Sequence, residues 1–193
     1  MSSALPRDFY RRDAPDVAID LLNKVLVRAD GRSGRIVEVE AYRGEHDPGS
    51  HAYRGRTPRN AVMFGPPGHL YVYFTYGMHW CANAVCGDDG EGTAVLVRAL
   101  VPLEGLDAMR AARGAAARRD RDLCSGPAKL CQAMGLGREH NGADLVTADH
   151  GVAVVDDGVA PPTRPANSNR VGLSAGGQLP WRWYVPGDPN VSR

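Results

Sequence analysis

Apolar and polar positions alternate cleanly over 70–75. Leu70, Val72 and Phe74 fall on one side, and Tyr71, Tyr73 and Thr75 on the other. That period predicts a half-buried strand, which the pair Tyr76-Gly77 ends with a turn. Trp80–Cys86 and Thr93–Ala99 read as further strands, separated by the glycine-rich loop 87–92. Upstream, Val25–Arg28 and Arg35–Tyr42 form a predicted hairpin about the turn 30–34. Helical spacing is predicted over Ala14–Asn23, with Asp13 as its cap and Pro15 in its first turn. It is also predicted over Leu103–Arg113, through Leu103, Leu106 and Met109. A third helix opens at Ser125-Gly126-Pro127 and closes at Gly135. Residues 43–60 read as a polar loop, and Pro161–Asn169 as a mobile one. With no repeat and no boundary, the pattern predicts one α+β domain over 1–193, its strands concentrated before residue 100.

Strict alternation within Arg35–Tyr42 puts Arg35, Val37, Val39 and Ala41 on one face. Ile36, Glu38, Glu40 and Tyr42 fall on the other. Two carboxylates at i and i+2 stand ~6.5–7 Å apart at Cα. On a half-buried face such a pair supplies a candidate general base; on an exposed face it is only solvated charge. His51 lies a short chain distance from Glu40 and Tyr42. Tyr71, Tyr73 and Tyr76 are either ordinary sheet aromatics or a stacking wall for a flat ligand. Tyr76, at its turn, is also placed to act as a wedge between base pairs. Thr57-Pro58-Arg59-Asn60 and Ser125–Lys129 read as polar turns whose amides, with Arg59 and Lys129, suit phosphate oxygens.

Composition narrows the classes. The chain has 193 residues, 43% of them hydrophobic, and a net charge of +1, which excludes a histone-like polycation. Two of its 23 basic residues are lysines, so 21 are arginines. The arginines at 110, 113, 118, 119 and 121 read as a solvated helix face diluted by Asp120 and Asp122. The start lacks the apolar run of a signal peptide, and no stretch approaches the roughly 18 apolar residues of a membrane span. The expectation is a cytoplasmic protein with four reduced, mostly buried cysteines. The six histidines match no metal motif, so no metal and no cofactor are expected.

Taken in order, several segments resemble the bacterial branch of the alkyladenine (3-methyladenine) DNA glycosylase family. They are Gly34–Tyr42 (GRIVEVEAY), Ser50–Asn60 (SHAYRGRTPRN), Gly68–Met78 (GHLYVYFTYGM), Leu96–Gly105 (LVRALVPLEG), Leu123–Gln132 (LCSGPAKLCQ) and Asn169–Gly172 (NRVG). The likeness runs over roughly Leu21–Ser192. It implies a mostly antiparallel, curved sheet flanked by helices. It also implies a monofunctional, metal-free enzyme, monomeric on double-stranded DNA, that excises 3-methyladenine and often 7-methylguanine, hypoxanthine or ethenoadenine. By motif, Glu40 would be the general base that activates water, with Arg98 and the main-chain carbonyl of Val171 holding that water. Tyr42, His51 and Tyr73 would sandwich the extruded base, and Asn83 would crowd the purine 2-position. Tyr76 would fill the vacated stack, with Thr57, Arg59, Met78, His79 and Lys129 along the DNA; some relatives carry Tyr in place of His79. Two rival classes are a glycoside hydrolase using Glu38 and Glu40 as its pair and a non-catalytic nucleic-acid-binding module.

Overall fold

The computed structural model describes residues 3–192. Its strands are β1 (Ser3–Ala4), β2 (Val25–Arg28), β3 (Ser33–Arg43), β4 (Leu70–Thr75), β5 (His79–Cys86), β6 (Thr93–Glu104), β7 (Val152–Asp156), β8 (Ala166–Ser168) and β9 (Arg182–Tyr184). Its helices are α1 (Arg7–Tyr10), α2 (Ala14–Leu21), α3 (Leu106–Arg113) and α4 (Pro127–Met134). All strands pair antiparallel in one sheet, ordered β1-β7-β2-β3-β6-β5-β4, with β9 joining β3 to β8. The expected α+β class with an antiparallel sheet is the class observed.

Helices α2 and α4 pack on the sheet and α3 packs on α4. They cover a core that includes Leu21, Ile36, Leu100, Met109, Leu130 and Met134, all essentially fully buried. The alternation of β4 splits as read. Leu70 and Val72 enter that core, while Tyr71 and Tyr73 join a second cluster with Ala52, Met63, Val85 and Ala94 beneath the 44–64 loop. This second, aromatic layer carries the candidate site.

Several expectations are corrected. Helix α2 stops at Leu21, because Leu22 turns extended (ψ 137°), and Asp13 does not cap it. The Asp13 carboxylate instead meets Arg43 Nε at 2.9 Å. Leu103 and Glu104 end strand β6, and α3 starts only after Gly105. The stretch Pro161–Asn169 contains β8, which pairs with β9. The four cysteines are free and buried, as expected.

The largest correction concerns β3. Ile36 pairs with Leu100 and Val39 with Val97, but Glu38 sits opposite Ala99. Val37 on β3 and Arg98 on β6 therefore drop out of register together. This double irregularity resets the alternation, so Ile36 shares the core with Val39 and Ala41 instead of opposing them. It also releases the Arg98 side chain toward the carboxylates of β3.

Candidate active site

Glu38 and Glu40 are both completely buried. The solvated-face reading of this pair is thereby excluded. On one side β3 pairs with β6; on the other, β9 places Tyr184 opposite Glu38 and Arg182 opposite Glu40. Burying a carboxylate costs several kcal/mol, so each must find charge-assisted partners.

Their partners differ. Glu38 Oε1 accepts from Arg98 Nε (2.7 Å), Arg182 Nε (2.7 Å) and Ser192 Oγ (2.7 Å), and its Oε2 from the Ser192 amide (2.6 Å). Burial pushes its carboxyl upward, but the Arg98 charge and the hydrogen bonds from Arg98 and Ser192 outweigh that and hold it below the usual carboxylate range. Glu40 Oε1 accepts from the Val171 amide (2.8 Å) and lies 3.1 Å from Arg98 Nη1, while Oε2 accepts from Tyr42 Oη (2.9 Å). A carboxylate offers about four lone-pair sites, so three donors leave Glu40 one to spare.

Tyr42, the donor to Glu40, also lines a pocket of about 40 Å³ with Gly49, His51, Met63, Tyr71, Tyr73, Asn83 and Leu173. Glu40 thus stands behind one wall of an aromatic cavity. Burial and then the Glu40 charge push the Tyr42 phenol far up, which keeps it a donor. Burial, then the Arg59 charge, hold the His51 imidazole below 6.5, so it is neutral at physiological pH. Its Nδ1 is 3.1 Å from Tyr71 Oη. Asn83 is pinned by donation from Nδ2 to the Tyr71 carbonyl (3.1 Å).

The aromatic walls touch each other. His51 meets Tyr73 edge-on at 4.4 Å between ring centres, and Tyr71 stacks on Tyr73 at 5.4 Å. A planar ligand between two faces needs ~7 Å, two van der Waals separations. His51 and Tyr73 are too close to admit a ring between them and act as one wall of the cavity.

Behind Tyr42 lies a second buried ion pair. Arg170 and Asp47 have no exposed side-chain surface and join through two contacts of 2.6 and 2.7 Å. Arg170 also donates to the carbonyls of Ala41 (3.0 Å) and Gly176 (2.8 Å). Its guanidinium sits 4.7 Å from the Tyr42 ring centre. Asp47 accepts from the amides of Arg43 and Gly49. The pair ties β3, the 47–51 loop and the 170–176 segment together. Gly49 is glycine for a steric reason: an added Cβ would meet Arg170 Nη2 at 2.7 Å.

The β4–β5 hairpin carries Tyr76, Met78 and His79 at its tip, all exposed. Tyr76 (φ 50°) and Gly77 (φ 68°) are both left-handed, and the Met78 amide donates to the Thr75 carbonyl at 3.2 Å. Two positive-φ central residues make a primed turn, which suits a twisted hairpin. Arg59 flanks the tip, donating to the Phe74 carbonyl (3.2 Å). Thr57 is bonded to Asn60, whose Nδ2 reaches the His51 carbonyl (2.8 Å).

The structure thus brings Glu40, Arg98, Val171 and Tyr42 into contact and groups Tyr42, His51, Tyr73 and Asn83 around one cavity. It gathers Thr57, Arg59, Tyr76, Met78 and His79 near the β4–β5 turn. Lys129 stands apart, beside Ser125, Arg119 and Arg121 in a separate polar recess of about 180 Å³. The amide of Val171 is what meets Glu40, a contact that the motif likeness did not name. Arg110 pairs with Asp107 and Asp120, Arg119 with Asp122, and Arg113 meets the Gln132 side chain, so two of the five arginines of this cluster are paired with acids. Sequence reasoning missed Asp47, Arg170, Arg182, Ser192 and the pocket role of Met63. The one signal was position: Arg170 lies inside the NRVG segment.

Comparison with known proteins shows what the chain as a whole is similar to. The sequence model of the methylpurine-DNA glycosylase family matches residues 8–189. A Burkholderia lata protein is 64% identical over 190 residues, covering 98% of this chain and 91% of its own. One from Streptomyces avermitilis is 50% identical, with 97% and 90% covered. One from Carboxydothermus hydrogenoformans is 47% identical, with 98% of each chain covered. All three carry the assigned name 3-methyladenine DNA glycosylase.

Proposed function

The chain belongs to the methylpurine-DNA glycosylase family, and from that premise we propose that Glu40 is the general base with which this DNA glycosylase hydrolyses the bond between a damaged purine and its sugar. The observation that carries the reading is the setting of Glu40. It is a fully buried carboxylate with one lone-pair site to spare, bonded to the wall of an aromatic pocket.

The steps follow from the groups in place. A base inside duplex DNA is out of reach and must be flipped out, which costs a few kcal/mol and least for damaged or mispaired bases. The exposed Tyr76 fills the gap left in the stack, as apolar wedges do from the minor groove. The flipped purine enters between Tyr42 on one side and His51 and Tyr73 on the other. Stacking contributes ~1–3 kcal/mol, and a cationic alkylpurine gains further on aromatic faces. A neutral His51 adds no like charge against it. Asn83, pinned to the Tyr71 carbonyl, crowds the 2-amino group that marks normal guanine. As the glycosidic bond breaks, the sugar becomes oxocarbenium-like. Glu40 stabilises that charge and takes the proton of the attacking water, with Arg98 and the Val171 main chain setting the carboxylate and the water. The substrates are then 3-methyladenine and, where protonation helps the base depart, neutral purines such as hypoxanthine.

Water is the nucleophile. A strand-cleaving glycosylase attacks with an amine, but of the chain's two lysines Lys24 is buried against Asp156 (2.7 Å) and Lys129 lies in the separate recess. The glycoside hydrolase reading is disfavoured because Glu38 is saturated by its partners and, of the two glutamates, Glu40 alone bonds to a residue that lines the pocket.

The test is single-turnover base release from duplexes holding one 3-methyladenine or one hypoxanthine, with wild type and Glu40→Gln. Release by wild type, an intact abasic strand and near-silence in the variant are expected. Strand nicking, or a borohydride-trapped adduct, would refute the water mechanism. Tight binding to damaged duplex without release would leave a damage-binding module.

A further inference from the structure

We infer that Glu38 is a positioning residue for the reaction: it engages one edge of Arg98 and shares its charge, so that Glu40 meets Arg98 through a single donor and remains a base. The inference rests on Glu40 being the base.

The geometry of the guanidinium carries it. Arg98 has two edges that can fork onto a carboxylate, a side-on one made of Nε and Nη2 and an end-on one made of Nη1 and Nη2. The side-on edge is occupied by Glu38 (2.7 Å) and Ser192 Oγ (3.2 Å). Of the end-on edge, Nη1 alone meets Glu40, at the longer distance of 3.1 Å. Ser192 holds Nη2 toward the Glu38 side, and Oε2 of Glu40 stays with Tyr42, so the fork onto Glu40 is not formed.

Charge points the same way. Within this cluster the carboxylates of Glu38 and Glu40 face the guanidinium groups of Arg98 and Arg182, two negative against two positive. Removing the charge of Glu38 leaves Arg98 with Glu40 as its sole counter-ion. In a buried site that attraction is strong, and it pulls the fork onto the base. Glu38 itself has no room for proton work. Four hydrogen bonds saturate it, and none of its partners lines the pocket, whereas Glu40 bonds to Tyr42 in the pocket wall. Its carboxylate also anchors Ser192, and with Arg182 it fastens the C-terminal segment and β9 behind the site. The double irregularity at Val37 and Arg98 is what lets one arginine stand between two glutamates of the same strand.

The experiment is a cycle of variants in single-turnover release from a hypoxanthine duplex, with duplex affinity measured alongside. Glu38→Gln keeps the shape and an acceptor for Arg98 but removes the charge. It is expected to slow release by about tenfold or more, part of what a general base supplies, with affinity for the damaged duplex changed less than about threefold. In a Glu40→Gln background the same change is expected to add nothing, since it acts through a base already removed. A residue that only supports the fold would slow the residual reaction equally in both backgrounds, and that result overturns the proposal. So does wild-type release by Glu38→Gln. Should Glu38→Gln fail to fold, Glu38→Gln with Arg182→Gln keeps the cluster neutral and carries the same cycle. Where both fold, the two are expected to be similarly slow, since Arg98 has Glu40 as its sole counter-ion in each, and wild-type release by the pair overturns the proposal. Wild-type release by Glu40→Gln would instead overturn the assignment of the base, and this inference with it.

Discussion

Two regions of the molecule reverse the usual arrangement of residues, in opposite senses. Behind the pocket, Glu38, Glu40, Asp47, Arg98 and Arg170 are charged and buried. At the β4–β5 tip, Phe74, Tyr76 and Met78 are apolar and exposed, Tyr76 at 81%. The buried charges are paired within the chain through three or four contacts each, while Arg170 Nε has no hydrogen-bond partner. The exposed side chains have nothing to satisfy them until another molecule arrives. The first region is complete in the free protein and sets geometry. The second is unfinished surface, and Tyr76 in addition holds a left-handed backbone that costs a bulky residue ~1–2 kcal/mol. The proposed chemistry lies in the region fixed by internal ion pairs, and the proposed DNA contact in the region that carries backbone strain.

Substitutions can break or sharpen that contrast. The largest effect is expected at Glu40→Gln, which should lose about 10²–10⁴-fold in base release while damaged-duplex affinity, measured by gel shift, persists. Next is Arg170→Leu, which leaves Asp47 charged and unpaired. About 3–5 kcal/mol of folding stability should go, read from urea denaturation. Arg170→Leu with Asp47→Leu should regain most of that, since paired removal leaves no orphan charge. Equal loss in both variants would mean that packing around Tyr42, and not charge pairing, is what this region supplies. Tyr76→Gly is expected to separate function from folding. Base release from a hypoxanthine duplex should fall, while the urea midpoint should hold or rise, because glycine adopts positive φ without penalty. A lowered midpoint would contradict the view of the tip as unfinished surface.

The smallest effect concerns pH. Burial and the Arg59 charge lower the His51 pKa, and burial and the Arg28 charge lower that of His140. As pH falls below 6.5, the unfolded chain takes up protons at these residues before the folded protein does. Stability is therefore full above that value and declines as pH drops toward the folded pKa values. The urea midpoint should be lower at about pH 5.5 than at about pH 7.5, and His51→Gln should lessen the difference.

Much of this architecture was legible in the chain. The strand bounds of Val25–Arg28 and Leu70–Thr75 match the pattern, as does the helix between Pro127 and Gly135. So does the division of β4 into a core face and an aromatic face. Motif likeness named the residues that the fold gathers at Glu40 and around the pocket. Other readings failed at identifiable points. Asp13 has the chemistry of a cap, but Arg43 competes for its carboxylate. The spacing of Leu103 and Leu106 looks helical, yet Leu103 extends β6 because β3 is there to pair with it up to Glu104.

The sequence by itself determined which short segments form strands, turns and helices, because those depend on neighbours two to four residues apart. It also determined the family. How many partners each of the two glutamates has was decided only by the tertiary structure. Glu38 and Glu40 occupy equivalent places in a local pattern and differ solely in what reaches them. The Arg98, Arg182 and Ser192 contacts to Glu38 span 60, 144 and 154 positions of chain, and the Val171 contact to Glu40 spans 131. A period-2 rule holds only until the register shifts, and at Val37 and Arg98 it shifts on both strands at once. Burial and charge pairing are properties of segments brought together by folding, and no local pattern encodes them.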